Sequence, residues 1–197
     1  MQRITILLGI IGPILLATTI ITLTFIEYDF LLTLRWHPLY APTTDWPSGL
    51  SLGEQGWIMI AAFIISGFML SVFAIGSYPV IQSKLGAILL YVAGIAMMMI
   101  GFKTDPTYLP TPRTIYGTLH DLGFVILGLS LLPAMIIFWN HLHTRWCGYA
   151  RYTLITGIIL FPTFWLKGIF FYIFLGGILL WFEITALRLY YATRNTN

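Results

Sequence analysis

The chain has 197 residues, of which 58% are hydrophobic and 9% charged, and its formal net charge is +3. A soluble globular domain carries about 25% charged residues, so these few cannot cover a water-facing surface, and lipid is the solvent the composition requires. The basic residues stand singly at helix ends, which excludes a nucleic-acid surface, and the single cysteine, Cys147, excludes an intrachain disulfide and a cysteine-built metal cage.

In chain order, six apolar segments read as membrane spans, over 4–26, 53–78, 85–102, 114–139, 151–166 and 169–190. A spanning helix needs ~20 residues, which makes the fifth segment short. The first follows Met1-Gln2-Arg3 and is too long for a cleaved leader, so it reads as a signal anchor. Pro13, Pro133 and Pro162 fall inside the first, fourth and fifth spans and predict kinks there. Ser51-Leu52-Gly53-Glu54 reads as a capping box opening the second span, and Thr111-Pro112 as an N-cap opening the fourth. Small residues mark close helix contacts: Gly67 and Ser71 on the second span, Ala87, Gly94 and Gly101 on the third, Gly117, Asp121 and Gly128 on the fourth. The fold expected is a single all-α membrane domain over 1–197, a six-helix bundle.

Charge sets the direction. Arg3, Lys84, Arg145, Arg151, Arg188 and Arg194 fall on one side, and all acids except Glu183 on the other. The positive-inside rule then puts both termini in the cytoplasm of a cell with this protein in its plasma (inner) membrane. Trp36, Trp46 and Trp57 lie near span ends, as interfacial belts require. Two longer connections, Glu27 to Leu52 and Lys103 to Arg113, face outward, and the first is long enough to fold over the bundle as an ordered cover.

Ionisable groups inside a span are costly and draw functional hypotheses. His120 and Asp121, near the outer end of the fourth span, together with Asp105 just upstream, form a candidate extracytoplasmic polar site to which the cover can add His37 and Asp45. The alternative is that these groups hydrogen-bond loop backbone and hold the cover in place. Neighbours on a helix point ~100° apart, so His120 and Asp121 cannot grip one ion without help from the loops. Glu183 lies deep in the sixth span and needs a partner. In a hairpin turning near Lys167, Arg151 lies level with it, which predicts an Arg151–Glu183 ion pair. No metal or cofactor is expected, since neither a hydrolase nor a zinc motif is present. Membrane lipids are the expected partners, with a membrane protein or a second copy as the other choice. An enzyme acting on a lipid headgroup, with His120 as acid/base, and a small transporter are the alternative functions.

Phe102-Lys103-Thr104-Asp105-Pro106, then Gly117-Thr118-Leu119-His120-Asp121, together with Asp45-Trp46-Pro47-Ser48 and Gly56-Trp57, resemble the prokaryotic membrane family known as domain of unknown function 998. The resemblance runs from about residue 5 to 190. It implies six spans in a bacterial or archaeal membrane and hands over no catalytic roles. Asp105 and His120 occupy its motif positions.

Overall fold

The computed structural model describes residues 2–38, 46–106, 111–142, 147–159 and 169–194. Their regular elements are all helices, without a strand among the described residues. The helices are α1 (Gln2–Ile26), α2 (Tyr28–Thr33), a 3-10 helix (Pro47–Leu52), α3 (Gly56–Ile81), α4 (Lys84–Ile100), α5 (Ile115–Leu142), α6 (Cys147–Leu154) running on into a π turn (Ile155–Ile159), and α7 (Ile169–Arg194). Of these, α1, α3, α5 and α7 are long and apolar enough to cross a bilayer. This is an all-helical, multi-pass membrane protein. Apolar side chains such as Ile11, Phe68, Leu129 and Leu180 cover its flanks, as a lipid solvent allows.

The second span starts at Gly56, three residues later than the sequence predicts, because Pro47–Leu52 winds into its own 3-10 helix. Ser51 lies buried inside that helix with no hydrogen-bond partner for its hydroxyl, so the Ser51–Glu54 capping box does not form. Thr111 likewise lies outside α5, which begins at Ile115, and Thr114 caps it through Oγ1, which accepts from the Gly117 amide at 3.0 Å. The fifth span is described only to Ile159; the rest of the expected 151–166 segment and the turn at Lys167 lie outside the described residues.

Helix α1 packs on α3 and α7, α3 on α4, and α4 on α5. The closest approach is between α3 and α4. A Cβ on Gly67 would stand 2.6 Å from the Gly94 carbonyl oxygen, and one on Gly94 would stand 2.7 Å from that of Gly67. The two backbones touch, which is how helices gain packing energy where lipid removes the hydrophobic drive. Ser66 on α3 adds a 3.0 Å hydrogen bond to the Gly12 carbonyl of α1. A sharp turn joins α3 to α4: Gln82 takes a left-handed φ of 56°, and Ser83 Oγ accepts from the Gly86 amide at 3.2 Å.

Two apolar clusters fill the bundle. One, around Leu16, Leu23, Trp36, Leu50, Met59 and Phe63, lies at the end carrying the long connections, here the loop end. The other, around Phe73, Met135, Phe138, Trp181 and Phe182, lies toward the opposite end. Trp36 is fully buried and stacks on Tyr172 at 6.4 Å, so it is a core residue and not part of an interfacial belt; Trp57, 66% exposed, keeps that role.

The α6–α7 seam has the register expected from the sequence but not the ion pair. Thr185 Oγ1 donates to Tyr149 Oη at 3.1 Å, and Trp181 Nε1 donates to Thr153 Oγ1 at 2.9 Å. Each pair is equidistant from Lys167, and Arg151 and Glu183 are therefore level. They do not meet, because each lies two residues from the seam positions of its helix, which turns it ~200° away. Arg151 is exposed, and Glu183 is half-buried near the Tyr152 hydroxyl.

Replacing Gly67 by Leu must part the α3 and α4 backbones. We expect a loss of about 1–3 kcal/mol in denaturant unfolding followed by circular dichroism, and no loss for Leu129→Ala on the lipid-facing side of α5.

Candidate functional site

Four polar groups stand at the loop end, and three of them complete helix termini. The first is Glu27, 6% exposed. It ends α1, and its Oε1 accepts a short hydrogen bond from the Gln55 amide, at the N-cap of α3. A buried carboxylate thus faces the positive end of a spanning helix, where negative charge is favoured. Gly53 makes room for it: a Cβ there would stand 2.7 Å from the Glu27 carboxyl. In the sequence, Glu27 stands out only as one of the acids on the outer side. Nothing in local spacing links it to Gln55, because the contact closes a loop of 28 residues.

The second is Asp105. Thr114 donates to it twice, from its amide to Oδ2 at 3.0 Å and from its hydroxyl to Oδ1 at 2.6 Å. The same hydroxyl caps α5, so Asp105, Thr114 and Gly117 form one relay. A Cβ on Gly117 would fall on the Asp105 carboxylate, so the glycine is a matter of close approach. The Thr114 hydroxyl and amide hold the Asp105 carboxyl below the usual carboxylate range.

The third is His120, 2% exposed. Its Nδ1 is 2.8 Å from the Ile100 carbonyl oxygen and 3.0 Å from that of Phe102. Ile100 is the last residue of α4, where carbonyls lack intrahelical partners. Two carbonyls can only accept, so Nδ1 carries the proton and the neutral ring keeps an acceptor lone pair on Nε2. The fourth is Asp121, which pairs with Arg113 on the surface, with side chains 50% and 61% exposed. Exposed pairs contribute little.

The structure therefore gives Asp105, His120 and Asp121 separate partners. Asp121 and Asp105 share an open polar cup of about 170 Å³ with Thr104, Thr111 and Arg113, and His120 faces the bundle interior instead. His37 is exposed, and Asp45 lies outside the described residues. Among the described residues, no three His, Cys, Asp or Glu side chains are grouped to hold a metal ion.

Inside the bundle, His120 lines a cavity of about 70 Å³ with Ile20, Trp46, Ser48, Phe124 and Phe171. A second cavity of about 60 Å³ lies among Gly12, Ser66, Leu131, Ile178 and Phe182. Leu16, Met97, Leu127 and Leu175 belong to both. Trp46 closes the loop end of the first, with ring centroids 4.6 Å from Phe124 and 5.5 Å from Phe171.

Two predictions follow from the caps. Glu27→Ala leaves the Gln55 amide without its acceptor and should destabilise by about 1–2 kcal/mol, while Glu27→Gln keeps an acceptor oxygen and loses less; unfolding midpoints in a denaturing detergent titration read both. Because the Asp105 carboxyl is depressed, its stabilisation is present above the ordinary value of 3.8 and fades as pH falls through the lower folded value. Asp105→Asn should thus lower the melting temperature at pH 7, with the gap to wild type closing below about pH 4.

No curated protein and no solved structure matches this chain. A family model described as "Protein of unknown function (DUF998)" matches residues 16–188, a span that includes Glu27, Asp105 and His120, and the chain belongs to that family.

Proposed function

We propose that this protein is a single-domain, six-span protein of a prokaryotic plasma membrane, with both termini cytoplasmic, that binds a membrane lipid from its extracytoplasmic end. Four long apolar helices support four of these crossings, and this reading assigns the other two to the shorter apolar α4 and to the segment that begins with α6. The basic residues at the opposite end from Glu27 and Asp105 support the orientation.

The observation that carries lipid binding is the interior: two apolar cavities that share Leu16, Met97, Leu127 and Leu175 as walls, with a buried imidazole lining the one nearer the loop end. Such a space suits hydrocarbon, since an apolar void holds water poorly. His120 bonds the end of α4 rather than a carboxylate, which favours binding over acid/base catalysis on a headgroup, because a general base needs an orienting partner at the reacting atom.

The test is extraction into polymer-bounded native discs and mass spectrometry of the lipids retained. The wild type should hold at least one lipid enriched several-fold over the bulk membrane, and His120→Ala should reduce that enrichment. A retained composition equal to the bulk membrane would reject the reading. A cysteine added after Asn197 should react with an impermeant thiol reagent only once the cell is opened; reaction on intact cells would reject the orientation.

A further inference from the structure

We propose that this protein forms a two-fold symmetric dimer in the membrane through the outer faces of α6 and α7, with Arg151 of each copy paired to Glu183 of the other. This goes beyond the lipid-binding reading and does not rest on it.

Charge without a partner is the first argument. Among the described residues, neither Arg151 nor Glu183 makes a hydrogen bond or an ion pair. Arg151 is exposed. Glu183 sits on the outer stripe of α7, between the exposed Leu180 and Leu187, which are three and four residues away and share its face. It lies seven residues, ~10 Å, before Tyr190, a residue type that marks the membrane interface. A carboxylate at this depth is costly in lipid and calls for a cation.

Depth is the second. The Tyr149–Thr185 and Thr153–Trp181 bonds hold α6 and α7 antiparallel, with Arg151 and Glu183 level. A two-fold axis along the membrane normal leaves every residue at its own depth, so it can bring Arg151 of one copy to Glu183 of the other. The helices pack in the ring order α1, α3, α4, α5, α6, α7 and back to α1, which sets α6 and α7 side by side at the perimeter. Turned about an axis beside their seam, α6 of one copy faces α7 of the other. Both ion pairs then form at once, as an isologous contact requires. One face carries both signs of charge at one depth, so the occupant that completes it is a second copy of the same chain.

Small residues are the third. A Cβ on Gly67, Gly94, Gly117 or Gly123 would strike neighbouring atoms of the same chain. A Cβ on Gly148, Gly157 or Gly176 would meet nothing within 4 Å. These three lie on α6, on its π turn and on α7, the two helices of the proposed face. By the seam register Gly157 and Gly176 are within one residue of level, about two turns from the charged pair on the loop-end side. Glycines facing open space let the helix of another copy approach closely.

The experiment uses the full chain with a donor or an acceptor fluorophore attached after Asn197, in vesicles of phosphatidylcholine and phosphatidylglycerol. Energy transfer between copies is followed as the protein-to-lipid ratio is varied. Arg151→Glu and Glu183→Arg should each weaken self-association by about tenfold or more. Mixed together, the two should associate as the wild type does, because each reversed residue then meets its opposite on the other copy. A pair within one chain cannot be restored in this way. Gly176→Leu should also weaken association with helix content unchanged by circular dichroism, since the added side chain meets nothing in its own copy. A wild type that stays monomeric at every ratio overturns the proposal. So does a mixture of folded Arg151→Glu and Glu183→Arg copies that associates no better than either alone, or an association that all three substitutions leave unchanged.

Discussion

In hydrocarbon no water completes the end of a helix, and this constraint organises the loop end of the molecule. An α-helix leaves four amides unpaired at its start and four carbonyls at its finish, and each costs several kcal/mol in an apolar solvent. The chain answers with side chains. Glu27 takes the amide at the start of α3, Thr114 caps α5, and His120 takes carbonyls at the finish of α4, while Ser83 caps the start of α4 at the opposite end. Groups that look like a reactive cluster in one dimension are in large part the terminators of neighbouring helices.

What these caps leave over is informative. Asp105 spends its oxygens on Thr114, and Asp121 faces Arg113 at the surface. His120 is different because capping uses only one of its two nitrogens, and the residue lines a cavity. One ring thus ties α4 to α5 and stands in the cavity wall. On this wall Gly9 and Gly12 let α1 come close to α3, since a Cβ on Gly9 would strike the Phe73 ring and one on Gly12 would meet Met69 and Ser66. In a well-packed interior such space is uncommon, and its wall loses dispersion contacts unless something fills it.

The α6–α7 seam shows how far a one-dimensional argument reaches. Equal distance from Lys167 gave the correct register, seen in the Tyr149–Thr185 and Thr153–Trp181 pairs. It did not give the face. Depth follows from counting residues along two helices, but facing depends on the rotation of each about its own axis, and uncharged Thr, Tyr and Trp took the seam positions where a charged pair was expected. Helix starts show the same limit. Ser51 and Thr111 satisfy local capping patterns, yet the caps that form are Gln55 and Thr114, three or four residues later, where Glu27 and Asp105 make their tertiary contacts.

Composition alone decided the solvent of this protein, because so few charges admit no other, and apolar segment length together with turn chemistry decided where its helices run. Residue type also nominated Asp105 and His120 as groups in need of partners. Which partners they found was a matter of tertiary structure. The Ile100 carbonyl lies 20 residues from His120, and the Gln55 amide 28 from Glu27, separations at which only the folded bundle brings groups together. The interior cavity is the extreme case: five helices each contribute a few apolar residues that any membrane helix would carry, and the space arises from how their shapes fail to fill the middle.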